Sequence, residues 1–307
     1  MDNTSQLTIG DASLDGARVA FLGCGVLAEA MIAGLLGKKL LKPEQIVGSH
    51  PRAARRQALT TRFDITMVEK NPAAVGMVAD SKTSIVLLAP KPQRLGLILA
   101  ELKGVLRPHQ LVISVVAGVS VERIADVLGT SRIIRAMPNT PAQIGHGVTV
   151  WTCSNSVSEA ERMVAKTLFG ALGKEISVET ENMIDMATSL SATGPTFVFL
   201  VMEALIDAGV HMGFSRDIAK ELVQEMMLGS VLFAMDSLKH PAELRNMVTS
   251  PGGTSAAAIY EMEKGGLRTV LSKAVHAAYQ RAVALGHDHR PKERSGDPLG
   301  TDAASRR

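Results

Sequence analysis

The sequence predicts an α/β fold in two parts, a doubly wound, mainly parallel sheet domain followed by an all-α domain. Before about residue 180, short apolar runs alternate with helical patterns, and beyond it the pattern is helical almost throughout. A glycine turn directly follows the first apolar run and opens a helix. Strands separated by helices indicate βαβ units, which build parallel sheets.

The predicted strands are short apolar runs of the kind that a sheet buries on both faces. They cover Val19–Leu22, Gln45–Gly48, Ser84–Ala89 and Leu111–Ser114, with shorter candidates at Ile133–Ile134 and Val148–Val150. A helix from Glu29 to Leu36 follows the first strand.

The second part keeps apolar residues at the helical spacing i, i+3, i+4 and i+7. The clearest run is Phe197, Leu200, Val201, Ala204, Leu205 and Ala208. These helices are rich in Ala and Met, and composition leaves two interpretations open. They could pack as an ordinary core, or they could present an apolar face to a second copy of the chain.

Bulk properties narrow the class of protein. The chain has 307 residues and a formal net charge of +3 with both signs mixed, and it has no long basic stripe, so nucleic-acid binding is not expected. No charge-free apolar run of about 18 residues occurs, so no membrane span is expected. Cys24 and Cys153 cannot form a disulfide framework, which fits a reducing compartment, and we expect the cytoplasm.

The two ends of the chain differ from the rest. Residues 1–17 contain no Arg or Lys, which excludes a secretory signal and argues against a mitochondrial presequence. They are expected to form a disordered leader. Residues 287–307 are polar, charged and rich in Gly and Pro, and they are expected to form a disordered tail.

The glycine turn after the first strand is Gly23-Cys24-Gly25-Val26-Leu27-Ala28, the GxGxxA form of the dinucleotide-binding motif. Gly23 permits the tight turn, Gly25 lets the backbone approach a pyrophosphate, and Ala28 allows the helix to pack closely on the strand. The strand–turn–helix context predicts a Rossmann-type cofactor site. The alternative is a turn that only packs. Cys24 is interpreted as a packing residue, not a reactive thiol.

The end of the second strand indicates which cofactor is used. An acidic residue there would bind the ribose 2′-OH of NAD, but this chain has Ser49-His50-Pro51-Arg52. Imidazole and guanidinium groups suit a 2′-phosphate, so NADPH is preferred, with NADH as an alternative. His50 and Arg52 are the candidate ligands of that phosphate. The next two arginines, Arg55 and Arg56, are expected on a solvated helix face.

Further turns follow later strands, and a second glycine turn lies in the helical part. The ligand crevice at the carboxyl edge of the sheet should be bordered by the turns Ala89–Pro92, Ser114–Gly118 and Arg135–Pro141, although each could be only a turn.

The second glycine turn, Val248–Ser255, runs straight into an amphipathic helix. Free N–H groups at such a helix start favour an anion, so this turn is a candidate cradle for an acidic substrate.

Together these residues resemble the pyrroline-5-carboxylate reductase family over residues 18–286. The most specific motifs are Met137-Pro138-Asn139-Thr140-Pro141, Gly194-Pro195, and His240-Pro241-Ala242-Glu243-Leu244-Arg245 leading into Val248–Ser255. The resemblance implies a Rossmann-type NADP-binding domain over residues 18–180 and a helical dimerisation and substrate domain over 181–286. It also implies homodimers that can assemble into larger rings. The implied reaction reduces the C=N bond of 1-pyrroline-5-carboxylate to L-proline, the last step of proline synthesis.

The resemblance assigns substrate residues to the second glycine turn. Gly253, Thr254 and Ser255 match the family's carboxylate loop, and Ser255 stands where the family usually has Thr. Ser255 is the implied catalytic residue, orienting the imine nitrogen and relaying a proton. Glu181 matches a substrate-contacting acid, and its alternative is an acid at a helix N-terminus. No metal site is implied.

The family's cofactor-binding positions fall on the following residues of this chain: Leu22, Gly23, Gly25, Val26, Leu27, Asn71, Ala89, Lys91, Val116, Ala117 and Gly118. Departures from the family pattern include Pro90, Met247 and Ala192, which could alter cofactor affinity or substrate range. Two other functions therefore stay open. One is a related imine or β-hydroxyacid dehydrogenase, and the other is a cofactor-binding paralogue without catalysis.

Overall fold

The computed structural model describes Leu14 and residues 16–287. The predicted leader lies outside the described residues except near its end, where Leu14 is buried and Ala17 begins the first strand. The predicted tail also lies outside them, apart from His287, the last residue of the last helix. Regular structure thus starts before residue 18 and extends past residue 286.

The first part is an α/β domain built on one eight-stranded sheet. The strands are β1 (Ala17–Leu22), β2 (Ile46–Ser49), β3 (Thr66–Val68), β4 (Thr83–Leu88), β5 (Leu111–Ser114), β6 (Ile133–Met137), β7 (Gly147–Cys153) and β8 (Gly173–Ser177). Its helices are α1 (Val26–Gly37), α2 (Ala53–Phe63), α3 (Asn71–Val78), α4 (Pro92–Leu102), α5 (Val121–Leu128) and α6 (Glu159–Gly170). The strand order is β3-β2-β1-β4-β5-β6-β7-β8. All neighbouring strands are parallel except β6 and β7.

The sheet buries both of its faces, as the apolar strands predicted. In β1, Val19 and Phe21 belong to the core under α1 and α6, whereas Ala20 and Leu22 belong to the core under α3, α4 and α5. This alternation follows from the two-residue period of a strand. Helices therefore cover both faces, and the predicted doubly wound fold is confirmed.

The predicted strands are all present, with ends that shift by a few residues. Gln45 ends a 3-10 turn (Pro43–Gln45) before β2, and Ala89 lies just beyond β4. Helix α1 begins at Val26, three residues before the predicted start. Two strands, β3 and β8, were not predicted.

The second part is entirely helical. Its elements are α7 (Asn182–Ala187), a π-helical turn (Thr188–Ala192), α8 (Gly194–His211), α9 (Arg216–Asp236), α10 (Pro241–Met247), α11 (Thr254–Lys264) and α12 (Leu267–His287). Helix α8 packs on α9, and α12 packs on α11, on α7 and on the π-helical turn.

This helical part has almost no interior within one chain. Among the described residues after Gly194, the buried apolar side chains are those of Ala219 and Ala282. Large apolar side chains are exposed instead; Phe199 is 61% exposed and Leu200 is 65% exposed. Since so large an apolar surface is rare on a monomer, the arrangement favours the interface interpretation over an ordinary core.

One stretch of helix, Asn182–His211, is long and apolar enough to cross a membrane by length and composition alone. Only 6% of its most apolar window is buried within the chain. This is weak evidence for a membrane span, because an apolar helix of a soluble protein meets the same criterion.

Candidate active site

The predicted turns meet at one edge of the sheet. The strand register pairs Leu22 with both Ser49 and Leu88, Leu88 with Ser114, and Ser114 with Arg135. These five buried residues form one row across five parallel strands, at the carboxyl ends of four of them and two residues before the end of β6. The chain order reverses between β1 and β4, which is where doubly wound folds bind ligands.

The first glycine turn has the conformation that its sequence predicts. Gly23 has φ +79°, and a Cβ added there would lie 2.8 Å from the Cα of Pro90. Gly25 precedes α1 without a side-chain cap, and a Cβ there would meet only the Gly23 carbonyl, at 3.8 Å. Ala28 is fully buried on the strand side. The first N–H groups of α1 are therefore open to an anion.

Cys24 lies inside this turn but points into the core. Its side chain is fully buried, and its Sγ donates to the Phe21 carbonyl at 3.3 Å. Burial raises the pKa of the Cys24 thiol to about 12, against smaller opposing effects from Ser49 and Arg55. The thiol stays protonated near neutral pH and is unreactive, as the sequence predicted.

Arg55 and Arg56 do not lie on a solvated helix face, so that expectation was wrong. The Arg55 side chain donates to the carbonyls of Cys24 (3.1 Å) and Gly25 (3.2 Å) and to the Glu29 carboxylate (2.5 Å). Arg56 donates to the carbonyls of His50 (2.9 Å) and Pro51 (2.8 Å). Each arginine holds the backbone of a turn at the carboxyl edge of the sheet.

His50 and Arg52 occupy the turn after β2. The His50 amide donates to the Val68 carbonyl (3.1 Å), and its Nδ1 accepts from the Arg52 amide (3.2 Å). Burial, and then the charge of Arg52, lowers the pKa of His50 below its ordinary value of 6.5, so the ring is neutral at pH 7. Arg52 is exposed at the start of α2, and its guanidinium has no hydrogen-bond partner among the described residues.

The turns after β3 and β4 contain the next predicted cofactor residues. Asn71 begins α3, accepts from the Ser49 hydroxyl (2.6 Å) and donates to Glu101 (2.7 Å). The Ala89 amide donates to the Leu22 carbonyl (2.9 Å), which ties this turn to β1. Lys91 is exposed at the N-terminus of α4.

The turn after β5 contacts the helical part. Val116 and Gly118 are buried, and Ala117 is half-buried. Gly118 has φ +71°, and a Cβ there would lie 2.7 Å from the Cβ of Leu285. Any side chain at this position would therefore collide with the end of α12, a constraint that sequence reasoning did not anticipate.

Glu181 is held by an ion-pair network at the junction of the two parts. Arg135, only 3% exposed, donates to Glu181 at 2.9 Å and to Asp185 at 2.5 Å. The same Glu181 oxygen accepts the amide of Val121 at the start of α5 (2.8 Å). Sequence reasoning missed Arg135 in this role, although a charged residue inside an apolar strand could have signalled it.

A second polar link joins the Met137–Pro141 motif to the helical part. Asn139 donates to the Ser191 carbonyl at 3.2 Å and accepts the Val148 amide at 2.8 Å. Ser191 lies in the π-helical turn, just before Gly194-Pro195. The Met137–Pro141 motif thus contacts the turn that leads into Gly194-Pro195.

The second glycine turn forms a cradle at the start of α11. Gly252 has φ +69°, Gly253 donates to the Ser250 carbonyl (3.0 Å), and α11 begins at Thr254 with no acid in its first turn. Thr254 is exposed and Ser255 is half-buried. Among the described residues, the hydrogen bonds of this turn all stay within residues 245–257. The structure thus brings Gly253, Thr254 and Ser255 together but does not bond them to the cofactor edge.

Two family models match the chain. One, described as pyrroline-5-carboxylate reductase dimerisation, matches residues 181–285. The other, described as NADP oxidoreductase, coenzyme F420-dependent, matches residues 18–118. Each glycine turn lies inside one of these segments.

Curated relatives match over nearly their whole length. The pyrroline-5-carboxylate reductase of Synechocystis sp. is 40% identical over 270 residues, which cover 88% of this chain and 98% of the relative. The enzyme of that name from Pseudomonas aeruginosa is 37% identical, with 87% and 96% covered. The one from Escherichia coli is 32% identical, with 87% and 98% covered.

Solved structures give the same result. Plasmodium falciparum pyrroline carboxylate reductase with NADP bound has a TM-score of 0.80 at 27% identity and covers 88% of this chain and 98% of its own. The pyrroline-5-carboxylate reductase of Coxiella burnetii has a TM-score of 0.78 at 31% identity, with the same coverage.

Proposed function

The chain belongs to the pyrroline-5-carboxylate reductase family, and from that premise we propose which of its residues carry the reaction. The protein is an NADP-dependent oxidoreductase that reduces 1-pyrroline-5-carboxylate to L-proline, the last step of proline biosynthesis. NADPH supplies a hydride to the imine carbon, and the nitrogen gains a proton. The protein must therefore hold a dinucleotide, hold a carboxylate and orient a C=N bond between them.

The observation that carries the assignment is the pair of uncapped helix starts that follow glycine turns. The start of α1 takes the cofactor pyrophosphate, because Gly25 leaves its N–H groups uncovered and lies just beyond the carboxyl end of β1. The turn after β2 takes the 2′-phosphate, because the Arg52 guanidinium is free and His50 lies beside it. The remaining predicted cofactor residues line the same edge.

The start of α11 takes the substrate carboxylate. The amides of Thr254 and Ser255 begin the helix there, next to Gly253, whose own amide bonds to the Ser250 carbonyl, and no acid in the first turn opposes an anion. The Ser255 hydroxyl is half-buried and has no hydrogen-bond partner among the described residues, and we assign it to hydrogen-bond the imine nitrogen. Since a hydroxyl is a weak acid, its main contribution is orientation, which can supply much of a rate enhancement.

Glu181 contributes to the substrate site through the network it joins. Its carboxylate bonds to Arg135 and to the Val121 amide, so it fixes α7 against the strand ends. A role as a direct substrate ligand uses only the carboxylate oxygen that those bonds leave free. The helix-terminal alternative is compatible with the same contacts.

The protein self-associates through its helical part, and we assign the assembly to a homodimer that can extend to a ring of dimers. The exposed apolar faces of α8 and α9 support the dimer. The cytoplasm is the proposed compartment, on the ground that the two cysteines are free.

The test of the catalytic assignment is NADPH oxidation with 1-pyrroline-5-carboxylate by the parent, Ser255→Ala and Ser255→Thr. The Ala variant is expected to lose about 10- to 100-fold in kcat/KM, the effect of one hydrogen bond to a charged group. The Thr variant keeps the hydroxyl and stays within several-fold of the parent. NADPH affinity should not change in either variant.

The outcomes separate the remaining functions. Absence of turnover by the parent, with NADPH still bound, would indicate a cofactor-binding paralogue without catalysis. Turnover of a different imine or a hydroxyacid in its place would indicate a related dehydrogenase. Full activity of the Ala variant would remove Ser255 from the mechanism and leave the reductase assignment intact.

A further inference from the structure

We propose that Arg55 is a positioning residue of the cofactor site, which holds the first glycine turn in the conformation that presents its N–H groups. The inference rests on the proposed function, because it takes the start of α1 as the pyrophosphate site. Arg55 itself does not touch the cofactor in this assignment. It acts from α2 on the backbone of the turn.

The contacts of Arg55 are concentrated on the turn and on the first turn of α1. Its Nε donates to the Cys24 carbonyl at 3.1 Å, and its Nη2 donates to the Gly25 carbonyl at 3.2 Å. The same Nη2 lies 2.5 Å from the Glu29 carboxylate. The side chain is 23% exposed, so these bonds are partly shielded from water.

Because the peptide bond is planar, a hydrogen bond to a turn carbonyl also fixes the direction of the N–H group that follows it. In a trans peptide the C=O and the following N–H point in opposite directions. A carbonyl of Gly25 held toward Arg55 therefore directs the Val26 N–H away from Arg55. The Cys24 carbonyl fixes the preceding peptide in the same way.

The first glycine turn needs contacts from another element to fix its backbone conformation. Gly23 and Gly25 give the backbone wide freedom, and Gly25 provides no side-chain cap for α1. The amide of Gly25 bonds only to the Gly23 carbonyl within the turn. Arg55 donates to the turn carbonyls, which fixes the turn and leaves open the N–H groups that a capping side chain would occupy.

The positive charge of Arg55 also favours binding of the pyrophosphate. Glu29 is an acid in the first turn of α1, where it would repel a bound pyrophosphate. Arg55 and Arg62 pair with its two oxygens, so the group of three carries a net positive charge. Only Arg55 of the two also bonds to the turn carbonyls, and this difference provides a matched control.

The experiment measures dissociation constants for NADPH and NADH in the parent, Arg55→Lys, Arg55→Met and the control Arg62→Lys. Lysine keeps the charge but lacks the planar fork that spans two neighbouring carbonyls. Arg55→Lys is expected to weaken NADPH and NADH by the same factor, about 10-fold, because the pyrophosphate is common to both. The KM for the imine and the kcat at saturating cofactor should stay at parental values. Arg62→Lys should stay within about twofold of the parent throughout.

Other results would overturn the inference. Selective weakening of NADPH would make Arg55 a direct ligand of the 2′-phosphate, and unchanged affinities would remove any role. Equal weakening in Arg55→Lys and Arg62→Lys would assign the effect to the pairing of the Glu29 carboxylate and not to the turn carbonyls. Loss of kcat with the affinities intact would show a general structural defect. A parent that binds neither nucleotide would overturn the proposed function itself. An active parent whose Arg55→Lys variant keeps the parental affinities would overturn only the role of Arg55.

Discussion

Three arginines within five positions have different surroundings, and their backbone positions decide what each can do. Arg52 precedes α2 with a free guanidinium, whereas Arg55 and Arg56 are bound to backbone carbonyls. Arg52→Ala is therefore expected to weaken NADPH about 10- to 100-fold, the range for a charge-assisted hydrogen bond, and to leave NADH unchanged. Titration of both nucleotides measures this, and an equal loss of both would contradict the assignment of the 2′-phosphate to Arg52.

At the scale of single residues, the sequence predicts what depends on local geometry. Gly23 and Ala28 could be assigned because a tight turn and a close helix–strand contact require small residues at fixed spacing. The bonds of Arg55 could not, because its acceptors lie some 30 positions earlier and periodicity carries no information about them. The contact between Gly118 and Leu285 was missed for the same reason.

At the scale of elements, α6 shows how a helix start can be stabilised by a buried acid. Glu161 accepts the amide and hydroxyl of Ser158 (2.9 and 2.7 Å) and two bonds from Arg132 (3.1 and 2.6 Å). Burial by itself raises the pKa of Glu161, but the hydrogen bonds from Arg132 and Ser158 outweigh it and hold the pKa below 4.5. The bonds to the ionised form therefore stabilise the helix start at neutral pH.

Glu161→Gln is expected to lower the free energy of unfolding at pH 7 by about 1 to 3 kcal/mol. Because the folded pKa is depressed, this stabilisation is present above the unfolded pKa and is lost as the pH falls through the folded value. The gap between parent and variant should thus close below about pH 4.5. Denaturant unfolding at fixed protein concentration measures it, with exposed Glu159→Gln in the same helix as the control. A gap that is constant with pH would show that ionisation of Glu161 is irrelevant.

The elements that the sequence missed are edge or polar strands. β3 is only three residues long, and β8 (Gly-Lys-Glu-Ile-Ser) has a mostly exposed, polar pattern. Their pairing partners β2 and β7 determine them, since a short strand without a buried face gives little signal of its own. The central strands were predicted because helices bury both of their faces, which demands continuous apolar runs.

At the scale of the whole molecule, the distribution of core decides the assembly. The sheet domain has a full interior, while α8 and α9 expose Phe199, Leu200 and Phe233. Composition could not distinguish a core from an interface, because both need the same apolar spacing. The folded chain separates them, because the described residues of one copy leave large apolar side chains of α8 and α9 uncovered.

Because the helical part is not covered within one chain, we predict that the active site is shared between the two chains of a dimer. Among the described residues, the substrate cradle at Gly253–Ser255 has only local hydrogen bonds, and α11 packs on α12, so no described hydrogen bond joins the cradle to the cofactor edge of its own chain. In a twofold dimer each cradle would then serve the cofactor edge of the partner. Two defective variants test this when combined in one heterodimer.

Ser255→Ala disables the cradle, and Gly25→Leu disables the cofactor turn, where a side chain meets little protein but fills the space for the pyrophosphate. Each homodimer should keep about a tenth of the parental activity or less. A heterodimer isolated through two different tags would have one intact site and one doubly defective site, and thus about half of the parental activity, if the site is shared across the twofold axis. If each chain used its own cradle, both sites of the heterodimer would be defective and it would be as inactive as the homodimers. Steady-state NADPH oxidation by the purified heterodimer therefore distinguishes the two arrangements, with a parental dimer carrying both tags as the control.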